Sequence, residues 1–444
     1  MNTKRFPSRR SFLKTIGVAA VGAPFLAGCV TAPPRRQVLR HASFGAGGMA
    51  WTDLTELAKC PNIEIVAICD VDLNHTVEAR KQFPLAKIYQ DWRELLDKEE
   101  KNIDSVNVST PDHMHAAIGV SAMQLGKHLY GQKPLAHDLY EVRRMTQLAA
   151  EKKVVTQMGI QVHSSTQYRK AVNVIQAGVI GKVKEVHTWS NKTWGDTSMR
   201  PDQTDPVPEG FDWNLWLGVC ADRPFIGGEY YHPGNWRKRL DFGTGTFGDM
   251  GCHIFDPVFN ALNLTAPLSV RSEGSAPNQW NWALDSLIKY VFPRTKYTAD
   301  ATLSITWYDG AQKPPAEIAA LAGGKRLPEQ GSIFIGTNGV MVLPHVGRPQ
   351  LYPVEKFHGY VVPEVPDANH WDQFVEACLG HGKTTANFAY AGPLTESVLL
   401  GGVASHFPQT TLHWNAREMK FDLAAATQLV RRSYRSGWSV KGLA

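Results

Sequence analysis

The stretch Gly45-Ala46-Gly47-Gly48-Met49-Ala50 constrains this chain more than any other. It follows a strand-like run from Val38 to Ser43 and precedes a helical run from about Trp51 to Leu57. In such a GxGxxA turn the first glycine permits the tight bend, the second lets the backbone approach a pyrophosphate, and the small third residue allows close helix-strand packing. The next β-branched run, Ile63 to Cys69, ends in Asp70, 25 residues after Gly45. From that position a carboxylate binds the adenosine ribose hydroxyls of a dinucleotide. Gly45, Gly47, Gly48 and Asp70 are therefore candidate cofactor residues, and the acidic pair Asp70 and Asp72 would repel a 2′-phosphate, which favours NAD over NADP.

The alternation continues with a strand from Ser105 to Ser109, a helix from Met114 to Leu125 and a strand from His128 to Gly131. A helix from Asp138 to Lys152 and a strand from Val154 to Gly159 follow. Strands separated by helices of this length predict a parallel Rossmann sheet over 38–159. Beyond 160 the texture changes. A strand is expected from Val183 to Asn191, residues 196–245 are rich in Pro, Gly and Trp, and β-like runs recur at 268–275, 286–292, 298–307 and 331–343. Such runs, without regular helices between them, predict a second domain over 160–444 built on an antiparallel sheet, with a helical stretch from Ala424 to Tyr434 near its end.

The first 29 residues read as an address. Ser8-Arg9-Arg10-Ser11-Phe12-Leu13-Lys14 is a twin-arginine export signal, and the apolar run from Thr15 to Ala27 is too short to span a bilayer. Leu26-Ala27-Gly28-Cys29 reads as a lipoprotein cleavage box, so Cys29 is the expected lipidation site and 30–37 a tether. The twin-arginine translocase carries folded proteins, which suggests a cofactor loaded before export and a periplasmic or cell-surface destination, with membrane attachment through the lipid alone. The formal charge of +6 includes five basic residues of the signal, so the mature chain is nearer neutral and nothing points to nucleic acid. The other five cysteines show no CxxC and no close pairing, which argues against a disulfide framework.

Ser109-Thr110-Pro111-Asp112-His113-Met114-His115 and Gln132-Lys133-Pro134 both follow strands at their carboxyl ends, where open α/β sheets bind ligands. Ser109, Thr110, Pro111, His115 and Lys133 are thereby further cofactor candidates. Lys133 could also reach a substrate hydroxyl, although in isolation it reads as a solvated lysine. Asp249 and His253 are four apart and share one face if their segment is helical. A histidine beside a carboxylate can remove a hydroxyl proton while hydride leaves the same carbon. Read alone, the pair also fits a buried histidine next to a capping aspartate, and two ligands without a third give no metal site.

Together the GAGGMA turn with Asp70, the STPDHMH stretch, QKP at 132–134 and GDMGCH at 248–253 resemble the glucose-fructose oxidoreductase / inositol dehydrogenase / MocA family. The resemblance extends to Gly159 to Ser164, Asn235-Trp236-Arg237 and Ala386 to Leu394, which look like an exported branch. It implies an N-terminal Rossmann domain and a C-terminal α/β domain whose large, mostly antiparallel open sheet supports the substrate site and a dimer or tetramer. It also implies catalytic roles for Lys133, Asp249 and His253: His253 as general base, Lys133 polarising the reacting oxygen, Asp249 holding both in register. His163, Trp236 and Arg237 become candidate substrate residues. Gln132 departs from the family's usual glutamate, which would ease deprotonation of Lys133. Five tryptophans between 189 and 236 could stack on sugar rings or belong to the core.

Outside the cytoplasm a released nicotinamide would be lost, so a tightly held NAD is expected. The leading reading is an oxidoreductase acting on a hydroxyl of a sugar, polyol or glycoside. The alternative is a redox-neutral glycosidase that oxidises transiently, eliminates the glycosidic bond and returns the hydride; relatives with that chemistry generally lack the motif's lysine, which Lys133 supplies here. A third reading, a sugar-binding lipoprotein without activity, requires that Lys133→Ala and His253→Ala alter nothing but stability.

Overall fold

The computed structural model describes residues 37–443. The twin-arginine string, the cleavage box and Cys29 lie outside the described residues. The N-terminal part runs β1 (Leu39–Phe44), α1 (Met49–Ala58), β2 (Ile63–Cys69), α2 (Thr76–Gln82), β3 (Lys87–Tyr89), α3 (Trp92–Glu99), β4 (Ser105–Val108), α4 (Asp112–Gln124), β5 (His128–Gly131), α5 (Leu139–Lys152) and β6 (Thr156–Met158). Its six strands pair in the order β3-β2-β1-β4-β5-β6, all parallel. That order reverses direction between β1 and β4, and the crevice at this switch point is where such sheets bind dinucleotides.

Local chemistry sets the ends of these elements. Asp138 caps α5, accepting from the Glu141 N–H at 2.9 Å while Glu141 reaches back, a reciprocal capping box. Asp91 caps α3 with a single bond, its Oδ1 accepting from the Arg93 N–H at 2.9 Å. The short edge strand β3 and the helices α2 and α3 fill 70–104, a region whose mixed polarity gives no clear period.

The second part adds α6 (Thr166–Gln176), β7 (Val183–Trp189), α7 (Trp213–Leu217), α8 (Gly245–Ile254), α9 (Asp256–Leu262), β8 (Ser269–Ser272), β9 (Leu287–Pro293), β10 (Thr302–Tyr308), α10 (Ala316–Ala320), β11 (Gly331–Gly336), β12 (Val340–Pro344) and β13 (Gln350–Tyr352). After these come α11 (His370–Cys378), α12 (Phe388–Ser405), β14 (Thr411–Asn415), β15 (Lys420–Phe421) and α13 (Ala424–Gln428). Nine strands form one sheet, β13-β12-β11-β7-β10-β9-β8-β14-β15, antiparallel throughout except for β7 beside β10. In β9 alternate residues Ile288, Tyr290 and Phe292 are buried, the period of two expected of a sheet with one covered face, and β10 follows it with Leu303 and Ile305 before its last residues, Ile305 to Tyr308, are all buried. Phe247 of α8 stacks on Trp307 with ring centroids 4.5 Å apart, so the helix carrying Asp249 is seated on the sheet.

Three features differ from the expectations above. The run at 331–343 is two strands, β11 and β12, joined at Thr337-Asn338-Gly339 and paired antiparallel. Helix α12 is buried on nearly all sides, so it has no polar face and no readable period. The last helix stops at Gln428, after which Arg432 and Tyr434 anchor an irregular tail to Asp138 and Glu141 of the N-terminal part. Helix α12 likewise returns to α5, where Arg143 forms a bidentate pair with Glu396 at 2.6 and 2.7 Å. Among the described residues the five cysteines are free, and no helix is long and apolar enough to cross a membrane.

Candidate active site

A cavity of about 410 Å³ opens at the switch point, between the carboxyl ends of β1, β2, β4 and β5 and the segment 213–237. Gly45, Gly47, Gly48, Asp70, Ser109, Thr110, Pro111, Lys133, Trp236, Arg237 and Asp249 all line it. Eleven of the residues singled out in the sequence therefore converge on one place.

The glycine turn fits a dinucleotide. Gly45 has φ +105°, and a Cβ there would lie 2.7 Å from the Ser109 carbonyl oxygen. A Cβ on Gly47 would meet the His75 ring at 2.7 Å. Gly48 caps α1 without a side-chain hydrogen bond, which leaves the helix N-terminus open for a phosphate. Asp70 braces this turn through its Oδ2, which accepts from the Ala46 N–H at 2.8 Å. These residues would hold the pyrophosphate and the adenosine ribose of NAD.

At the other end of the cavity Lys133, in the loop after β5, donates to Asp249 on α8, Nζ to Oδ1 2.5 Å and Nζ to the backbone oxygen 3.0 Å. The other Asp249 oxygen accepts from the Trp194 indole N–H at 2.8 Å, and Arg237 Nε lies 3.4 Å from Oδ1. Burial would raise the Asp249 pKa, but the Lys133 and Arg237 cations override it and hold the group well below the usual carboxylate range. The Arg237 guanidinium stacks over Trp236 at 4.3 Å and faces Trp194 at 5.4 Å. Of the five tryptophans between 189 and 236, Trp189 and Trp216 are core residues, and Trp213 stacks on Trp216 at 4.9 Å. Trp194 and Trp236 are the two that reach the Asp249 cluster.

Gln132 has a structural account. Its Nε2 donates to Asp53 Oδ2 at 2.7 Å, and its Oε1 accepts from the Lys133 N–H at 3.2 Å. Asp53, on α1 and fully buried, also accepts from Ser109 Oγ at 2.8 Å and Trp371 Nε1 at 3.0 Å. The carboxylate missing at 132 thus stands at 53, and burial pushes it up to about 6 against these hydrogen bonds.

Three expected site residues do not line the cavity. His115 is buried with Nδ1 2.8 Å from the Pro134 oxygen and Nε2 2.8 Å from the Thr110 oxygen, so it ties two loops together instead of meeting cofactor. His163 is buried with Nδ1 2.9 Å from Asp256 Oδ2 and 3.1 Å from the Tyr168 hydroxyl. Its imidazole belongs to that cluster, not to the substrate wall. His253 lies one turn beyond Asp249, half-buried in a separate narrow crevice with its ring centroid 5.7 Å from that of His345. Burial, with Lys133 and His345 adding to it, holds its pKa well below the ordinary histidine value.

Sequence reasoning missed Asp53, His75 and His232, and it took Trp194 only among the five tryptophans and Asp112 only as part of the STPDHMH stretch. Asp112, on the cavity wall, accepts from Thr244 Oγ1 at 2.7 Å. Asp53 and His232 are paired with residues 50 or more positions away, so no local signal exposes them; His75, five residues after Asp70, carried a positional hint.

Two family models match the chain, an oxidoreductase family NAD-binding Rossmann fold over residues 39–160 and the same family's C-terminal alpha/beta domain over 165–326. Levoglucosan dehydrogenase from Pseudarthrobacter phenanthrenivorans is 24% identical over 209 residues, covering 46% of this chain and 45% of that protein. The alpha-N-acetylgalactosaminidase of Shewanella oneidensis is 26% identical over 159 residues, 34% of each chain. The matched segment thus spans less than half the length of either relative. The crystal structure of the WlbA dehydrogenase from Bordetella pertussis in complex with NADH and UDP-GlcNAcA shares the fold, with a TM-score of 0.60 at 16% identity over 85% of this chain and 99% of that one. With both domain models matched in order over most of the described residues, the chain belongs to the Gfo/Idh/MocA oxidoreductase family.

Proposed function

We infer that the protein is an exported oxidoreductase that retains NAD and oxidises a hydroxyl of a sugar, polyol or glycoside. The observation that carries this reading is Lys133, whose Nζ stands 2.5 Å from Asp249 in the same cavity as the glycine turn and Asp70. When bound, a nicotinamide ring accepts hydride from the carbon bearing the reacting hydroxyl. Asp249 fixes the Lys133 ammonium, which donates to the hydroxyl oxygen and stabilises negative charge as it develops there. The family resemblance assigns removal of the hydroxyl proton to His253, which lies one turn from Asp249 but opens into the neighbouring crevice here, so that role requires its ring to turn toward the cavity. Trp236, Trp194 and Arg237 supply the aromatic and cationic wall that would orient a sugar.

The similarity to an alpha-N-acetylgalactosaminidase supports the redox-neutral glycosidase as a second reading. Lys133 favours the first. Export and the lipid anchor rest on Ser8 to Lys14 and on Leu26 to Cys29, and a homo-oligomer would use the open face of the nine-stranded sheet. The test is product analysis on a panel of sugars and glycosides: an oxidised sugar matched by reduced nicotinamide is expected. Free sugar released from glycosides with no oxidised product would overturn the reading in favour of the glycosidase.

A further inference from the structure

Asp72 and His75, from the turn after β2, meet His232 from the segment that forms the opposite wall of the cavity. The contributing atoms lie within 4.8 Å of one another, with His232 Nε2 3.1 Å and His75 Nε2 3.9 Å from Asp72 Oδ2. Nitrogen and oxygen ligands around a tetrahedral zinc-type ion, each at about 2.0–2.2 Å, stand at separations of this order.

The surroundings orient all three. Asp72 Oδ1 is taken up by the Asn74 backbone N–H at 3.0 Å and by Asn74 Nδ2 at 2.9 Å, which directs Oδ2 toward the histidines. His75 Nδ1 faces Asp70 Oδ2 at 3.5 Å, the carboxylate–histidine pairing that fixes the ring of a metal ligand and raises its basicity. The His232 ring is held by Phe211, stacked at 4.7 Å and 16°. The backbones beneath are already paired, Leu73 N–H to the Gly210 oxygen and Asp212 N–H to the Val71 oxygen, both at 2.9 Å. The two walls are thus in register before any cation arrives. Imidazole nitrogens with one carboxylate suit zinc and its neighbours in the transition series better than calcium or magnesium, which prefer all-oxygen sets.

We propose that Asp72, His75 and His232 bind one divalent transition-metal cation of the zinc class, which staples the cavity wall around 208–233 to the nucleotide-binding sheet. The site is distinct from Lys133 and Asp249 and needs no sugar. The purified chain, stripped with a chelator and free of added nucleotide, is titrated with Co²⁺ and followed by its visible d–d absorption, alongside His232→Gln and Asp72→Asn. One equivalent is expected to give the intense bands of four- or five-coordinate Co²⁺, displaced by one equivalent of Zn²⁺. Each variant should weaken binding by more than the roughly 10–100-fold that loss of an outer-shell partner costs, while melting in chelator at the same temperature as the parent. Zn²⁺ should raise the melting temperature of the parent only. Weak octahedral bands, sub-stoichiometric uptake, or binding unchanged in His232→Gln would overturn the proposal and leave the trio as a hydrogen-bonded cluster. These readouts are independent of oxidoreductase activity.

Discussion

At the scale of single residues the account turns on two pairs, Lys133 with Asp249 and Gln132 with Asp53. Lys133→Ala should slow reduction of bound nicotinamide by about 100-fold or more, the range for loss of a positioned proton-handling group, while the nucleotide stays bound. Stopped-flow absorbance in the near ultraviolet measures both. Gln132→Glu, which introduces the family's usual residue, should harm this chain. A second carboxylate would stand where an amide now donates to Asp53 at 2.7 Å, at a cost of about 2 kcal/mol or more at pH 8. Because Asp53 is already pushed up to about 6, the penalty should shrink near pH 5 as the pair takes up a proton, and Asp53→Asn in the same chain should remove most of it. Urea denaturation at both pH values checks this. The sequence displayed Lys133, Asp249 and Gln132 through their motifs. It did not display Asp53 as their support, because that contact joins α1 to a loop 79 residues away.

At the scale of elements, the N-terminus of α5 carries a cluster of buried charge. Burial pushes Asp138 up to about 6, and burial with the Asp138 charge pushes Glu141 up to about 8. Arg432, from the C-terminal tail, is half-buried beside both with its guanidinium Nε and Nη1 enclosed, its backbone N–H donating to Asp138 Oδ2 at 3.1 Å. Arg432→Met should cost about 3–5 kcal/mol, because it leaves carboxylates buried without their cation. The sign with pH follows from the raised values. Deprotonation of Asp138 and Glu141 destabilises the fold as pH rises through about 6 and about 8, so the loss should be larger at pH 9 than at pH 5, read from denaturation midpoints. The elements of 38–159 were legible because strands and helices there keep clean periods and the glycine turn fixes their order. Helix α12 was not, because a helix buried all round has no amphipathic stripe. The β11–β12 hairpin did carry an Asn-Gly turn signal, which a reading by hydrophobic runs alone passes over.

For the molecule as a whole, the cavity at the switch point joins three parts of the chain: the glycine turn with Asp70, the loop bearing Lys133, and the wall from 213–237 with α8 behind it. The two-domain order was readable from the alternation of strands and helices and its loss beyond 160. The return of α12 and the tail to α5 was not, since nothing local marks a segment that packs against residues some 250–300 positions earlier. The measurement that bears most directly on the central claim is the near-ultraviolet spectrum of the purified chain, taken without added cofactor and then after mixing with sugars and glycosides. A nicotinamide that copurifies, gains the reduced band with one of these compounds and gains it about 100-fold or more slowly in Lys133→Ala is the result the account predicts; a protein that carries and binds no nicotinamide at all would contradict it.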